Sequence, residues 1–119
     1  HEDLAVGALA VAGELARTED GATRLDVLVK GALRLLHADW AAVVDPGRER
    51  VLGGAGTEVP NDAWLVGFVN GATPEGLDTL DEFAVAELAG SGLSLVVCRG
   101  HLPLRGRERQ LVDGLSALA

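Results

Sequence analysis

The sequence contains no methionine and no tyrosine, a single cysteine, a single lysine and only four aromatic residues, two tryptophans and two phenylalanines. The lone Cys98 leaves no intramolecular disulfide to form, and no charged-then-apolar leader with a small-residue cleavage site opens the chain. No run approaches the roughly 18 apolar residues that a membrane span requires. These absences together lead us to expect a soluble, cytoplasmic protein with no membrane partner. Because no methionine occurs and His1 leads, the chain is expected to be a piece of a longer protein, with His1 fitting a tag remnant.

Basic residues are also scarce, 10 against 18 acidic ones, for a formal charge of −8. Affinity for a phosphate backbone comes largely from Lys and Arg displacing counterions, so nucleic acid is not an expected partner. Arg99, Arg105, Arg107 and Arg109 do cluster, but beside Glu108 they read as a solvated loop and helix start. Nine of the ten basic residues are Arg, and Ala, Gly, Leu and Val dominate, a bias that GC-rich codons produce and that hints at a high-GC bacterium.

The chemistry-bearing residues do not form a reacting set. Cys98 sits inside an apolar run, where a free cysteine packs as a small hydrophobe. His37 and His101 lack the Cys, His or carboxylate spacing of a metal site and read as helix-end and loop residues. Asp78, Asp81 and Glu82 form an acidic run without the paired, differently buried carboxylates that acid–base catalysis needs. Gly53-Gly54-Ala55-Gly56 lacks the Lys and Ser/Thr that would follow in a phosphate-binding loop, so it reads as a turn or bulge. No enzyme and no cofactor is expected.

At 119 residues, 48% apolar and 24% charged, the composition is that of one globular domain covering residues 1–119. Leu4, Ala5, Ala8, Leu9, Ala12, Leu15 and Ala16 recur at helical spacing, predicting a helix over 4–16 whose main stripe is Leu4, Leu9 and Leu15, with Val6 and Val11 off it. Asp20 is placed to cap a second helix, 22–37, striped by Leu25, Leu28, Val29, Ala32, Leu33 and Leu36. DWAAVVD, 39–45, reads as a strand closed by Pro46-Gly47, apolar on both faces: Trp40, Ala42 and Val44 point one way, Ala41 and Val43 the other.

Residues 48–56 are expected to pair back as a second strand. Pro60-Asn61-Asp62 opens a short helix carrying Trp64, Leu65, Phe68 and Val69, and 70–81 is turn-like. DEFAVAEL and LSLVVCRG, joined by Ala-Gly-Ser-Gly, form the strongest hairpin signal. Residues 105–119 are helical along Glu108, Leu111, Val112, Leu115 and Leu118. The predicted fold is therefore α+β, an antiparallel sheet with the N- and C-terminal helices packed on one face.

That element order resembles a GAF domain, with the PAS domain as its nearest neighbour. Two stretches carry the resemblance: LVKGALRLLHADWAAVV, a helix running through a small-residue/Asp step into the first strand, and LSLVVCRGHLPLRGRERQLVDGLSALA, a last strand, a Leu-Pro-Leu turn and a closing helix. The resemblance covers nearly the whole chain and implies a noncatalytic, small-ligand-sensing and dimerising module of a multidomain bacterial signalling protein, covalently linked to an output domain into which the last helix would continue. The chain departs from the family in the middle. Only about 25 residues, 57–81, stand where much of a ligand pocket is normally built, and with Lys30 as the only lysine the cyclic-nucleotide-binding pattern is unmatched. A ligand-free dimerising connector is the alternative. Trp64, Phe68, Phe83 and Trp40 account for every aromatic residue; Trp64, Phe68 and Phe83 are the expected ligand-binding set, lining a pocket between the short helix and the sheet, with core packing as the competing reading. Because the first helix is apolar or small around much of its circumference, a two-fold homodimer through helices 4–16 and 106–119 is expected.

Overall fold

The computed structural model describes residues 4–71, 83–88, 91–100, 104 and 106–118. Helices α1 (Leu4–Arg17) and α2 (Gly21–Leu36) lead into strands β1 (Trp40–Asp45) and β2 (Arg50–Gly56); α3 (Asp62–Gly71), β3 (Phe83–Glu87), β4 (Ser94–Cys98) and α4 (Gly106–Leu118) follow. The order matches the sequence reading element for element, and the bounds differ by a residue or two, as helix and strand ends do. The expected turn-like stretch from Asn70 starts one residue short of the end of α3. Its remainder through 81, the acidic Asp78, Asp81 and Glu82, and His101 lie outside the described residues.

Local chemistry sets the helix ends. The Asp20 carboxylate accepts from the Thr23 amide (3.0 Å) and the Thr23 hydroxyl (2.7 Å), satisfying a donor that the first turn of α2 cannot pair internally. His37, at φ 53°, closes α2 in the left-handed conformation, and the Ala38 amide returns to Leu33 O at 3.0 Å. Between α1 and α2, the Arg24 guanidinium donates to Leu15 O and to Thr18 O (3.0 Å), covering the open carbonyl end of α1. Asn61 Oδ1 accepts from the Trp64 amide at 2.9 Å and caps α3.

The four strands form one antiparallel sheet in the order β2-β1-β4-β3. β1 and β4 are central, pairing Trp40 with Cys98 and Val43 with Leu95; β3 and β4 form the expected hairpin, pairing Phe83 with Cys98. On β2 the register shifts opposite Val43/Val44, so that Gly53 pairs Val43 but Val51 pairs Val44, and Leu52 is the extra residue of a bulge. Gly56 ends that strand at φ 114°, and a Cβ there would fall on Asp39 O and within 2.6 Å of Trp40 Cα, so only glycine lets β2 close on the entrance of β1.

The pleat of β1 splits its apolar side chains as read from the sequence. Ala41 and Val43 join Leu95 and Val97 under α1, α2 and α4, in a core that includes Val11, Leu15, Leu28, Val29, Ala32, Leu35, Leu36, Val112 and Leu115. Trp40, Ala42 and Val44 join Val96 and Cys98 on the opposite face, under Leu65 and Val66 of α3. Both faces are thus covered, and the terminal helices share one of them. α1 packs chiefly on α2 and α4 rather than on the strands.

The inner face of α1 differs from the expected stripe. Gly7, Val11 and Leu15 are buried at i, i+4 and i+8, while Leu9 and Val6 point outward. The cause is close helix contact: an added Cβ at Gly31 of α2 would lie 2.9 Å from both γ carbons of Val11, and one at Gly7 would collide with Leu35. Two glycines, one from each helix, bring α1 and α2 together and thereby choose which side of α1 turns inward. Leu35, absent from the predicted stripe of α2, is buried by the same contact.

Candidate functional site

The four aromatic rings come together in one layer on the α3 face. The sheet register places Trp40, Cys98 and Phe83 in a row across β1, β4 and β3, and α3 lays Trp64 and Phe68, one helical turn apart, over that row. Trp64 and Phe68 stack at 5.2 Å between ring centroids with an interplanar angle of 5°; Phe68 meets Phe83 at 4.9 Å, and Trp40 meets Trp64 edge-on at 6.3 Å. These separations are those of rings in mutual contact. Trp40 is buried, Phe68 and Phe83 are partly buried, and Trp64 is 45% exposed. The sequence-predicted set Trp64, Phe68 and Phe83 is therefore assembled between the short helix and the sheet, with Cys98 buried beside it.

Where Trp40 leaves the layer, a polar cavity of about 280 Å³ is lined by Asp39, Trp40, Thr57 and Glu58. Asp39 organises its inner wall: its amide donates to Cys98 O (2.8 Å), its carbonyl accepts from the Thr57 amide (2.8 Å), and its carboxylate accepts from the Gly100 amide (2.8 Å).

A second concavity lies between α1 and α4. α1 and α4 diverge around an open apolar groove of about 450 Å³ lined by Ala8, Leu9, Ala12, Gln110, Leu111, Gly114 and Leu115. Of the lining residues Leu115 is buried, Ala8, Ala12 and Leu111 are half-buried and Gly114 is exposed. At its rim Leu9 is 73% exposed, and Val6, further along α1, is 62% exposed.

The arginine cluster does not behave as one solvated group. Arg107 is exposed, but Arg99 is 6% exposed, its guanidinium 2.6 Å from the Glu108 carboxylate and donating to Leu36 O at 2.8 Å. Arg109 is half-buried and donates to Leu104 O at 3.1 Å. The expectation of a solvated loop fails at Arg99 because the pleat that turns Cys98 toward the aromatic layer turns the next residue toward the helices. Its position one residue after a buried strand residue, with an acidic helix start following, is the signal that could have found it.

His37 is an exposed helix cap. Among the described residues no group of three or more His, Cys, Asp and Glu side chains comes together, and no helix is long and apolar enough to cross a membrane. No protein-family model matches the chain, and no curated protein matches it.

Proposed function

We propose that this chain is a noncatalytic regulatory module of the GAF type, from a multidomain cytoplasmic signalling protein of a bacterium, which pairs with a second copy of itself through α1 and α4 and takes a small apolar ligand at the Trp64, Phe68 and Phe83 layer. The observation that carries the reading is the exposed apolar surface of α1 beside the α1–α4 groove. Leu9 is a projecting side chain, and the apolar groove lined by Ala8, Ala12, Leu111 and Leu115 lies on the same surface. A two-fold interface needs one patch to supply both parts, because each copy presents the same residues to the other. Helices meeting in this way join the modules that they connect.

Light scattering at micromolar concentration tests the pairing. The wild type is expected to be a dimer and Leu9→Glu a monomer that stays folded, because residue 9 is already in water in the single chain. A monomeric wild type sinks the pairing.

The ligand-free connector is the second reading, favoured by the mutual contact of the rings, which fill the space between them. A small-molecule series scored by melting temperature and tryptophan emission separates the two readings. Binding at the layer raises the first and perturbs Trp64 in the second, whereas a series that moves neither leaves the connector.

A further inference from the structure

The two long sides of α1 are unlike. Gly7, Val11 and Leu15 turn inward, while the opposite side carries Val6, Leu9, Gly13 and Ala16, spaced by three, four and three residues and so aligned in one stripe. Val6, Leu9 and Ala16 are exposed. Gly13 lies under the tip of Arg17: the three atoms nearest to an added Cβ all belong to that guanidinium, the closest at 3.3 Å. Arg17 is itself exposed and makes no ion pair among the described residues, so the cover over Gly13 is the far end of a flexible side chain.

The stripe is lopsided, with its large residues, Val6 and Leu9, toward the N-terminus and its small ones, Gly13 and Ala16, toward the C-terminus. A second α1 laid parallel and in register would set leucine on leucine and glycine on glycine, crowding one end and hollowing the other. Laid antiparallel, about a two-fold axis level with Val11, it brings Leu9 level with the partner's Gly13 and Val6 level with the partner's Ala16. Each large side chain then meets a small one, which is how packed surfaces interdigitate. Charge favours the same orientation. Arg17 closes the helix and Glu2 and Asp3 precede it in the sequence, so antiparallel helices set the basic end of one copy beside the acidic start of the other, whereas parallel helices set Arg17 against the partner's Arg17.

We infer that the outward face of α1 is covered by α1 of a second copy running antiparallel, with Leu9 seated at the partner's Gly13 and Val6 at the partner's Ala16. The inference rests on the pairing proposed above and adds its orientation and register. Leu9 lies on the α4 side of the stripe, where it rims the groove, and a two-fold of this kind keeps that side common to both copies. The Leu9 side chain therefore also reaches the partner's Ala12, at the edge of the partner's groove. The two α1 N-termini point in opposite directions.

Site-directed disulfides test the orientation. Val6→Cys and Ala16→Cys are made separately in a Cys98→Ala background, so that each chain carries one thiol, and both positions are exposed in the single chain, so that neither change disturbs its core. A disulfide needs Cα atoms within about 7 Å, and at about 1.5 Å per residue antiparallel helices hold residue 6 about 15 Å along the axis from its own copy. The two chains, one isotope-labelled, are mixed under reducing conditions and oxidised in a glutathione buffer, and intact mass spectrometry counts the products. The mixed disulfide is expected to exceed either homodisulfide at least tenfold, and each variant alone is expected to stay uncross-linked. Homodisulfides that form as readily as the mixed one, or no cross-link at all, overturn the inference. Light scattering on the wild type separates this failure from that of the pairing itself. A dimer without the selective mixed disulfide removes only the antiparallel register, and a monomer removes the pairing and the register together.

Discussion

Ser116 of α4 is fully buried, and its hydroxyl has no hydrogen-bond partner among the described residues. In the unfolded chain that hydroxyl is hydrated, so folding strips it of water and returns nothing, at a cost of about 1–3 kcal/mol. Ser116→Ala removes the group. The variant also gains about 0.5 kcal/mol of helix propensity and loses a few tenths for the oxygen-sized void left behind. The balance is a stabilisation of about 1 kcal/mol or more, which for a domain of this size raises the melting temperature by about 4 °C. Urea unfolding at fixed protein concentration is the suitable assay, because self-association would otherwise move the midpoint; the slope should be unchanged and the midpoint higher. If Ser116→Ala proved less stable than the wild type, the hydroxyl would have a partner in the folded protein and the reasoning would be wrong.

Gly67 of α3 has nothing within 4 Å of an added Cβ, so Gly67→Ala should stabilise by up to about 1 kcal/mol, whereas Gly31→Ala, with the same propensity gain, drives a Cβ into the stiff, buried Val11 and should destabilise; urea midpoints decide both. The Thr23 hydroxyl, then the Thr23 amide, hold the Asp20 carboxyl below its ordinary pKa of 3.8. A depressed folded-state value means that the stabilisation is present above 3.8 and lost as pH falls through the lowered value. Asp20→Ala should thus be less stable than wild type at neutral pH, with a gap that narrows in acid, and a gap that widened there would contradict the cap. Cys98→Ala should fold at a cost on the order of 1 kcal/mol, and thiol reagents should label the native wild type slowly until denaturant is added; rapid native labelling would show an accessible thiol.

Periodicity made the element order legible, because α2 and β1 carry unbroken patterns at their own spacings. The two-sided burial of β1 followed from its alternation, and the meeting of the four rings followed from there being only four, on elements that the order brings together. Three features escaped because they depend on partners. Which side of α1 faces inward is decided by Gly7 and Gly31 letting α2 approach, and a stripe of leucines does not carry that information. The bulge at Leu52 is a register event between strands, indistinguishable in β2 alone from its loose run of glycines. Arg99 looked like one of four solvated arginines because composition ignores the pleat, and only the strand's phase against its neighbours shows that residue 99 must find a partner inside.

The sheet order also governs the time course of folding. β1 and β2 are neighbours in sequence and can close as a hairpin with α2 beside them, but the central ladder joins β1 to β4, with β2, α3 and β3 lying between them along the chain. Until that distant strand arrives, β1 has an open edge and two apolar faces, and the loop that must close is long enough to make the step entropically slow. On a ribosome the first half would emerge with its central strand half-paired and wait for the second, so the interval before β4 docks is when the chain is most exposed to pairing with the wrong edge.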